Sequence, residues 1–242
     1  MLNFLRNLRR SSSSKYLKYA IGEIVLVVIG ILIALSINNW NEQRKAKDFQ
    51  DKMLKEIYRA LENDINTFES YEQLIKTHNE SISYLIDAQN TENKESLNMD
   101  SLKFHLDEIW GFGVSIGYNN GPYESLKSSG LDKIENDSLR SEIAKLYSYH
   151  MPNTEDWINE IIRVDIVKKF DLFEELFTIK LSRDSAGVNS ELVIEDYQFL
   201  DSPLFSQILD KSNTVLKSTV SSFQRSRQRM IEVKNAINNE LE

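Results

Sequence analysis

The longest apolar pattern in the chain runs from Tyr19 to Trp40, and between Ala20 and Ile37 its only charged side chain is Glu23. About 18 helical residues at ~1.5 Å each cover roughly 27 Å, close to the hydrocarbon thickness of a bilayer. Tyr16 and Tyr19 precede the run and Trp40 follows it, where amphipathic rings prefer the headgroup level. The pattern predicts a membrane-spanning helix over residues 19–40. A cleaved secretory signal also pairs a basic segment with an apolar run, but this run is longer, holds an acid, and offers in Ala34-Leu35-Ser36 only a poor cleavage site. Arg6, Arg9, Arg10, Lys15 and Lys18 precede the span with no acid among them, whereas Arg44, Lys45 and Lys47 follow it beside Glu42 and Asp48. The positive-inside bias therefore places residues 1–18 in the cytoplasm, as a basic tail with a flexible link at Ser11 to Ser14, and residues 41–242 outside it.

Beyond the span, apolar residues recur at Leu54, Ile57, Leu61, Ile65, Phe68, Ile75, Ile82 and Leu85 or Ile86, and neither proline nor glycine occurs between Gly30 and Gly111. Spacings of three and four predict one amphipathic helix to about Asp87, continuous with the span unless the asparagines of residues 38–41 break it. Residues 88–99 read as a polar connection, and Asp100 as the cap of a short helix to Trp110. The stretch from Gly111 to Pro122 holds half of the eight glycines and reads as a loop, and the helix after it, Tyr123 to Ser129, meets its stop at Gly130. Asn136 or Asp137 caps a helix to about Tyr149 that stops before Pro152. Thr154 opens the next, with an apolar face at Trp157, Ile161, Val164 or Ile166, Phe170, Phe173, Phe177 and Leu181. Residues 182–201 look irregular, and Ser202-Pro203 starts a final helix bearing Phe205, Leu209, Leu216, Val220, Phe223, Met230, Ile237 and Leu241. The expected fold is all-α: a single N-terminal transmembrane helix continuing into a long helix, then an antiparallel four-helix-type extracytoplasmic bundle over residues 41–242.

Two stretches carry a resemblance. KYLKYAIGEIVLVVIGILIAL followed by INNWNE, Lys15 to Glu42, resembles the N-terminal signature of an uncharacterised family of single-pass membrane proteins common in Bacteroidota. YESLKSSG, Tyr123 to Gly130, resembles that family's second recurring motif. The resemblance implies a whole-chain match by length and layout, and it brings no assigned activity, substrate or catalytic residue. Ser36 departs from it, standing where a glutamine is expected before the Ile-Asn-Asn-Trp segment.

Charge narrows the functional classes. The net charge is −8, and setting aside the five basic residues up to Lys18 leaves −13 for everything after them. So acidic a domain repels phosphate backbones, and no nucleic-acid partner is expected. The absence of cysteine removes disulfides, thiolate metal sites and cysteine nucleophiles. His78, His105 and His150 never occur as Glu-x-x-His or His-x-x-x-His, so no metal site and no cofactor is expected. Gly113-Val114-Ser115-Ile116-Gly117 matches G-x-S-x-G literally, but a nucleophile elbow needs a strand before it and a helix after it. No catalytic residue is expected.

Two candidate interaction sites remain. On the span, Gly22, Leu26, Gly30 and Ala34 lie four apart on one face, with Glu23 bordering it. Small residues at this spacing let two helices approach closely, so self-association through this face is expected, with Glu23 either contacting a partner or solvated at the interface. The second is the glycine-rich loop with Trp110, Phe112, Tyr118 and Tyr123 at its edges, suited to a partner or ligand contact and also to turn and core packing. The expected function is a non-enzymatic, membrane-anchored interaction or scaffold protein of the bacterial cell envelope, in contact with the lipid bilayer, itself and an envelope protein. A sensory or ligand-binding helical ectodomain signalling through a separate membrane partner is the alternative.

Overall fold

The computed structural model describes residues 2–183 and 187–242, with side chains from Lys18 onward. The chain divides into two compact units, Met1–Lys52 and Met53–Glu242. It is mostly helical, with one two-stranded sheet.

The first unit consists of helix α1, which begins at Leu2 and extends through Asn90 into the second unit. One expectation is corrected within it: Ser11 to Ser14 form no link but lie in the helix. The asparagines of residues 38–41 do not break it, and the span continues into the long helix as expected. Serine and asparagine each cost only about half a kcal/mol of helix propensity, which a helix already propagating on both sides absorbs. The apolar window, of mean hydropathy 2.8, is long enough to cross a membrane, and none of it is buried.

The second unit takes residues 53–90 of α1 and packs around them α2 (Met99–Gly111), α3 (Gly121–Ser129), a long helical run over residues 137–176, and α7 (Pro203–Leu241). Polar cross-links fix the pairing. Gln89 donates to Ser206 Oγ at 2.9 Å, Arg227 pairs with Glu69, and Lys234 reaches Glu62 at 3.0 Å, so α7 runs antiparallel to this part of α1. Lys211 to Asp165 at 2.9 Å, Thr154 to Ser226 at 2.8 Å and Asn136 to Glu240 at 2.7 Å set α7 antiparallel to the 137–176 run as well. Between these helices lie Leu54, Ile57, Leu61, Phe68, Leu85, Phe173, Phe205, Phe223, Met230 and Ile237, all buried. The fold hides most of the stripes expected on α1 and α7, leaving Ile75, Val220 and Leu241 half-buried.

Capping follows the sequence closely at three ends. Asn136 accepts from the Ser138 and Leu139 amides, and Ser202 accepts from Leu204 ahead of Pro203. Gly130, with φ 106°, ends α3 in a conformation where a Cβ would come within 2.5 Å of the Asp132 carboxylate. The start of α2 is corrected by two residues: Asn98, not Asp100, caps it, accepting from the Ser101 amide.

Pro152 does not stop a helix. The run continues as α4 (Asp137–Lys145), a π turn at Leu146–His150, α5 (Met151–Asp156), a second π turn at Trp157–Ile162, and α6 (Arg163–Leu176). The wide turn just before Pro152 gives its ring room where an α-helical carbonyl would clash. Two hydroxyls bond back onto carbonyls one turn earlier on either side of this bend, Ser148 Oγ on Ala144 and Thr154 Oγ1 on His150.

Residues 182–201 are likewise not all irregular. Strand β1 (Thr178–Arg183) pairs antiparallel with β2 (Val188–Val193), in register from Thr178 opposite Val193 to Arg183 opposite Val188. Apolar and polar residues alternate through Thr178-Ile179-Lys180-Leu181-Ser182, a period of two that suits a strand. Leu181 thus leaves the helical stripe assigned to it and stands exposed on the hairpin, while Leu192 is buried against the core.

Candidate functional site

The 137–176 run carries two apolar rows. Ile166 and Phe173 face the core as expected, together with Lys169, but before them the fold buries Ile158 and Ile162 in place of Trp157 and Ile161. Trp157, Ile161 and Val164, expected inside, are instead 46%, 55% and 53% exposed, and Val167 joins them at 48%. Spacings of four, three and three place these side chains on one outward face. The π turn at Trp157–Ile162 sets this register, because each of its turns takes about one residue more than an α turn and shifts which row meets the core. The result is a contiguous apolar stripe over solid packing.

Beside the stripe, a groove of about 350 Å³ opens between this run and α7, lined by Tyr149, His150, Asn153, Trp157, Arg225 and Arg229 among others. Arg225 and Arg229 stand one turn apart on α7. Arg229 Nη1 donates to His150 Nδ1 at 2.7 Å, which requires the imidazole neutral with its proton on Nε2. Burial, with the charges of Arg229 and Lys145, lowers the His150 pKa and holds it in that form. Arg225 has no ion pair or hydrogen bond among the described residues.

A second polar centre is sealed inside. Lys169, fully buried, donates to the carbonyls of Ile109 at 2.5 Å and Phe112 at 2.6 Å, and burial lowers its pKa to about 7. His78 stacks on Phe112 with ring centroids 3.8 Å apart, and burial followed by the Lys169 charge lowers its pKa to about 4. An amine near neutrality is a nucleophile or base in principle, but here it is spent on two carbonyls at the negative end of α2. The centre is built to hold α2 and the loop after it.

That loop is pinned on both sides. The Asn159 side chain pairs with both backbone groups of Ile116, at 3.1 Å from the amide and 2.9 Å from the carbonyl. The Asn119 amide donates to Asp64 at 3.0 Å, and burial raises the Asp64 pKa. Tyr71 OH donates to the carbonyl of Ser115, which sits in this loop between two helices with no strand before it. Of the aromatic residues singled out at its edges, Phe112 and Tyr123 are buried, Tyr123 stacked on Tyr147 at 5.1 Å, while Trp110 and Tyr118 are half-buried. On the span, Gly22, Glu23, Leu26, Gly30 and Ala34 are all exposed, and a Cβ added at Gly22 or Gly30 meets nothing within 4 Å. The structure thus leaves the span face open and turns two of the loop aromatics into core.

Reading the sequence alone missed Lys169, the Arg225–Arg229 pair and the outward row. The signals present were two apolar rows on one helix and a basic cluster, Arg225-Ser226-Arg227-Gln228-Arg229, in an acidic chain. Among the described residues no three His, Asp or Glu side chains are grouped to hold a metal ion.

A family model for a family of unknown function, DUF6090, matches residues 23–202, and the chain belongs to that family. No curated protein and no solved structure matches it.

Proposed function

We propose that this member of DUF6090 is a non-enzymatic, membrane-anchored interaction protein of the bacterial cell envelope, its tail cytoplasmic and its helical domain periplasmic. One observation carries the reading: the outward row Trp157, Ile161, Val164 and Val167 is apolar, contiguous and exposed, above a core that is already filled. Keeping such a row in water is unfavourable by roughly 25 cal/mol for each Å² of apolar surface, and a protein partner laid on it recovers that free energy. The helices of the second unit form, on this reading, a four-helix-type bundle that presents the row from a rigid backing. The span adds a second contact, self-association in parallel through Gly22, Gly30 and Ala34, supported by the open space around both glycines.

The alternative, a ligand-binding ectodomain, is favoured by the groove at Arg225 and Arg229. Affinity purification from native membranes in a mild uncharged detergent separates the two. On the interaction reading, an envelope protein copurifies with the wild-type chain and is lost with Ile161→Asp, while Leu181→Asp on the exposed hairpin retains it. Equal recovery from all three chains would remove the row from the proposal.

A further inference from the structure

The groove between the 137–176 run and α7 has a composition that nothing in the fold demands. The chain carries 37 acidic against 29 Lys and Arg residues, yet the residues lining this groove include two arginines and no carboxylate. Glu155 and Asp156 precede Trp157 on the same helix and do not line it. Three cations on the same helix, α7, are matched with acids: Arg227 with Glu69, Lys211 with Asp165, Lys234 with Glu62. Arg225 and Arg229 are not, among the described residues. The neighbouring groove, which shares His150 and Arg229, takes in Glu142 and Glu232, so the acid-free wall is specific to one side of the His150–Arg229 pair.

The donors converge by type as well as by sign. The Arg225 guanidinium is fully available, and Arg229 commits one nitrogen to His150 and keeps the rest. Neutral His150, accepting at Nδ1, retains an Nε2–H donor, and the Asn153 amide adds two more. Guanidinium forks match the planar or tetrahedral oxygens of carboxylate and phosphate, which no neutral ligand would use as well. Two rings line the same groove, Tyr149 and Trp157, both exposed, with Tyr149 edge-on to His150 at 5.2 Å. Exposed rings beside a cationic wall suit a flat body carrying the anion, stacked on the indole while its oxygens meet the arginines.

We infer that this groove binds a carboxylate or phosphate group borne on a flat ring. The inference goes beyond the partner-binding row, with which the groove shares only Trp157 at its edge.

Titration calorimetry on the full chain in an uncharged maltoside detergent tests it with three probes: phenyl phosphate, benzoate and inorganic phosphate. Phenyl phosphate and benzoate bind saturably at one site, and inorganic phosphate binds several-fold more weakly for want of a ring. Arg225→Gln weakens both ring probes by roughly tenfold or more, as expected for a charge-assisted hydrogen bond lost. Because Arg225 is exposed and unpartnered, its replacement leaves the helical circular dichroism spectrum unchanged, so a folding defect cannot mimic the result. Tryptophan emission shifts on binding in the wild-type chain and not in Trp157→Phe. No saturable binding of either ring probe at millimolar concentration, or undiminished affinity in Arg225→Gln and in the Arg225→Gln/Arg229→Gln chain, would overturn the assignment. Equal affinity for inorganic phosphate would overturn the ring.

Discussion

The ammonium nitrogen of Lys169 lies 2.6 Å from the carbonyl oxygen of Phe112, the C-cap residue that follows α2. A second bond to the carbonyl of Ile109 completes a cap on that helix. Helix C-termini present unsatisfied carbonyls and the negative end of the macrodipole, so a cation satisfies both at once. The same ammonium is fully buried with no carboxylate bonded to it, and that burial brings its pKa down to about 7.

Stability should therefore rise with pH above neutrality. The folded pKa of Lys169 is lowered to about 7, while the unfolded side chain titrates near 10.5. Between those values the unfolded chain holds a proton that the folded chain has released. The group then adds about 1.4 kcal/mol of unfolding free energy per pH unit as pH increases, and its penalty is complete below pH 7. Urea unfolding of the full chain in detergent, followed by circular dichroism at pH 7, 8 and 9, should show this slope. Lys169→Met should flatten it.

His78 gives the corresponding trend on the acid side. Its folded pKa of about 4 lies below the ordinary 6.5, so stability should increase from about pH 4 to 6.5 and level off beyond it. Replacing the imidazole by the flat apolar side chain of Phe should weaken that dependence. Both nitrogens of His78 are buried, and the backbone groups of Glu108 and Ser212 near them form no well-aligned hydrogen bond, which makes the apolar replacement tolerable.

Gly130→Ala should destabilise the domain by about 1–3 kcal/mol, because φ at 106° strains any side chain and the new Cβ meets Asp132. A shift of the urea midpoint with an unchanged slope is the expected result. An unchanged midpoint would mean that the turn after α3 relaxes freely.

How much of this was legible in the residues depends on how many elements compete for each position. The α1 and α7 stripes were readable because each helix has one apolar row, and Asn136, Ser202 and Gly130 announced their ends by local chemistry alone. The 137–176 run was not, since it carries two apolar rows and only tertiary packing selects Ile158 over Trp157. Pro152 argued for a stop, and the π turn that accommodates it leaves no simple period. Lys169 follows another lysine and looks like solvated surface; its burial depends on α2 ending beside it. The loop aromatics do not line the open groove: Phe112 and Tyr123 went into the core, while Arg225 and Arg229, more than a hundred residues away in sequence, line it.

Gly30→Ile should abolish span-mediated association while leaving insertion intact, since nothing in the chain lies within 4 Å of the added Cβ. Chemical crosslinking in native membranes should lose its oligomer band. The same band from both chains would leave the span as an anchor only.

The central claim, that the outward row of the 137–176 run is a partner-binding face, is tested most directly by a photoreactive phenylalanine analogue placed in turn at Ile161, Val164 and Val188 in cells. Irradiation should join the first two positions to one and the same envelope protein and leave Val188, still more exposed on the hairpin, uncoupled. Absence of any adduct at Ile161 and Val164, or an identical pattern at Val188, would contradict it.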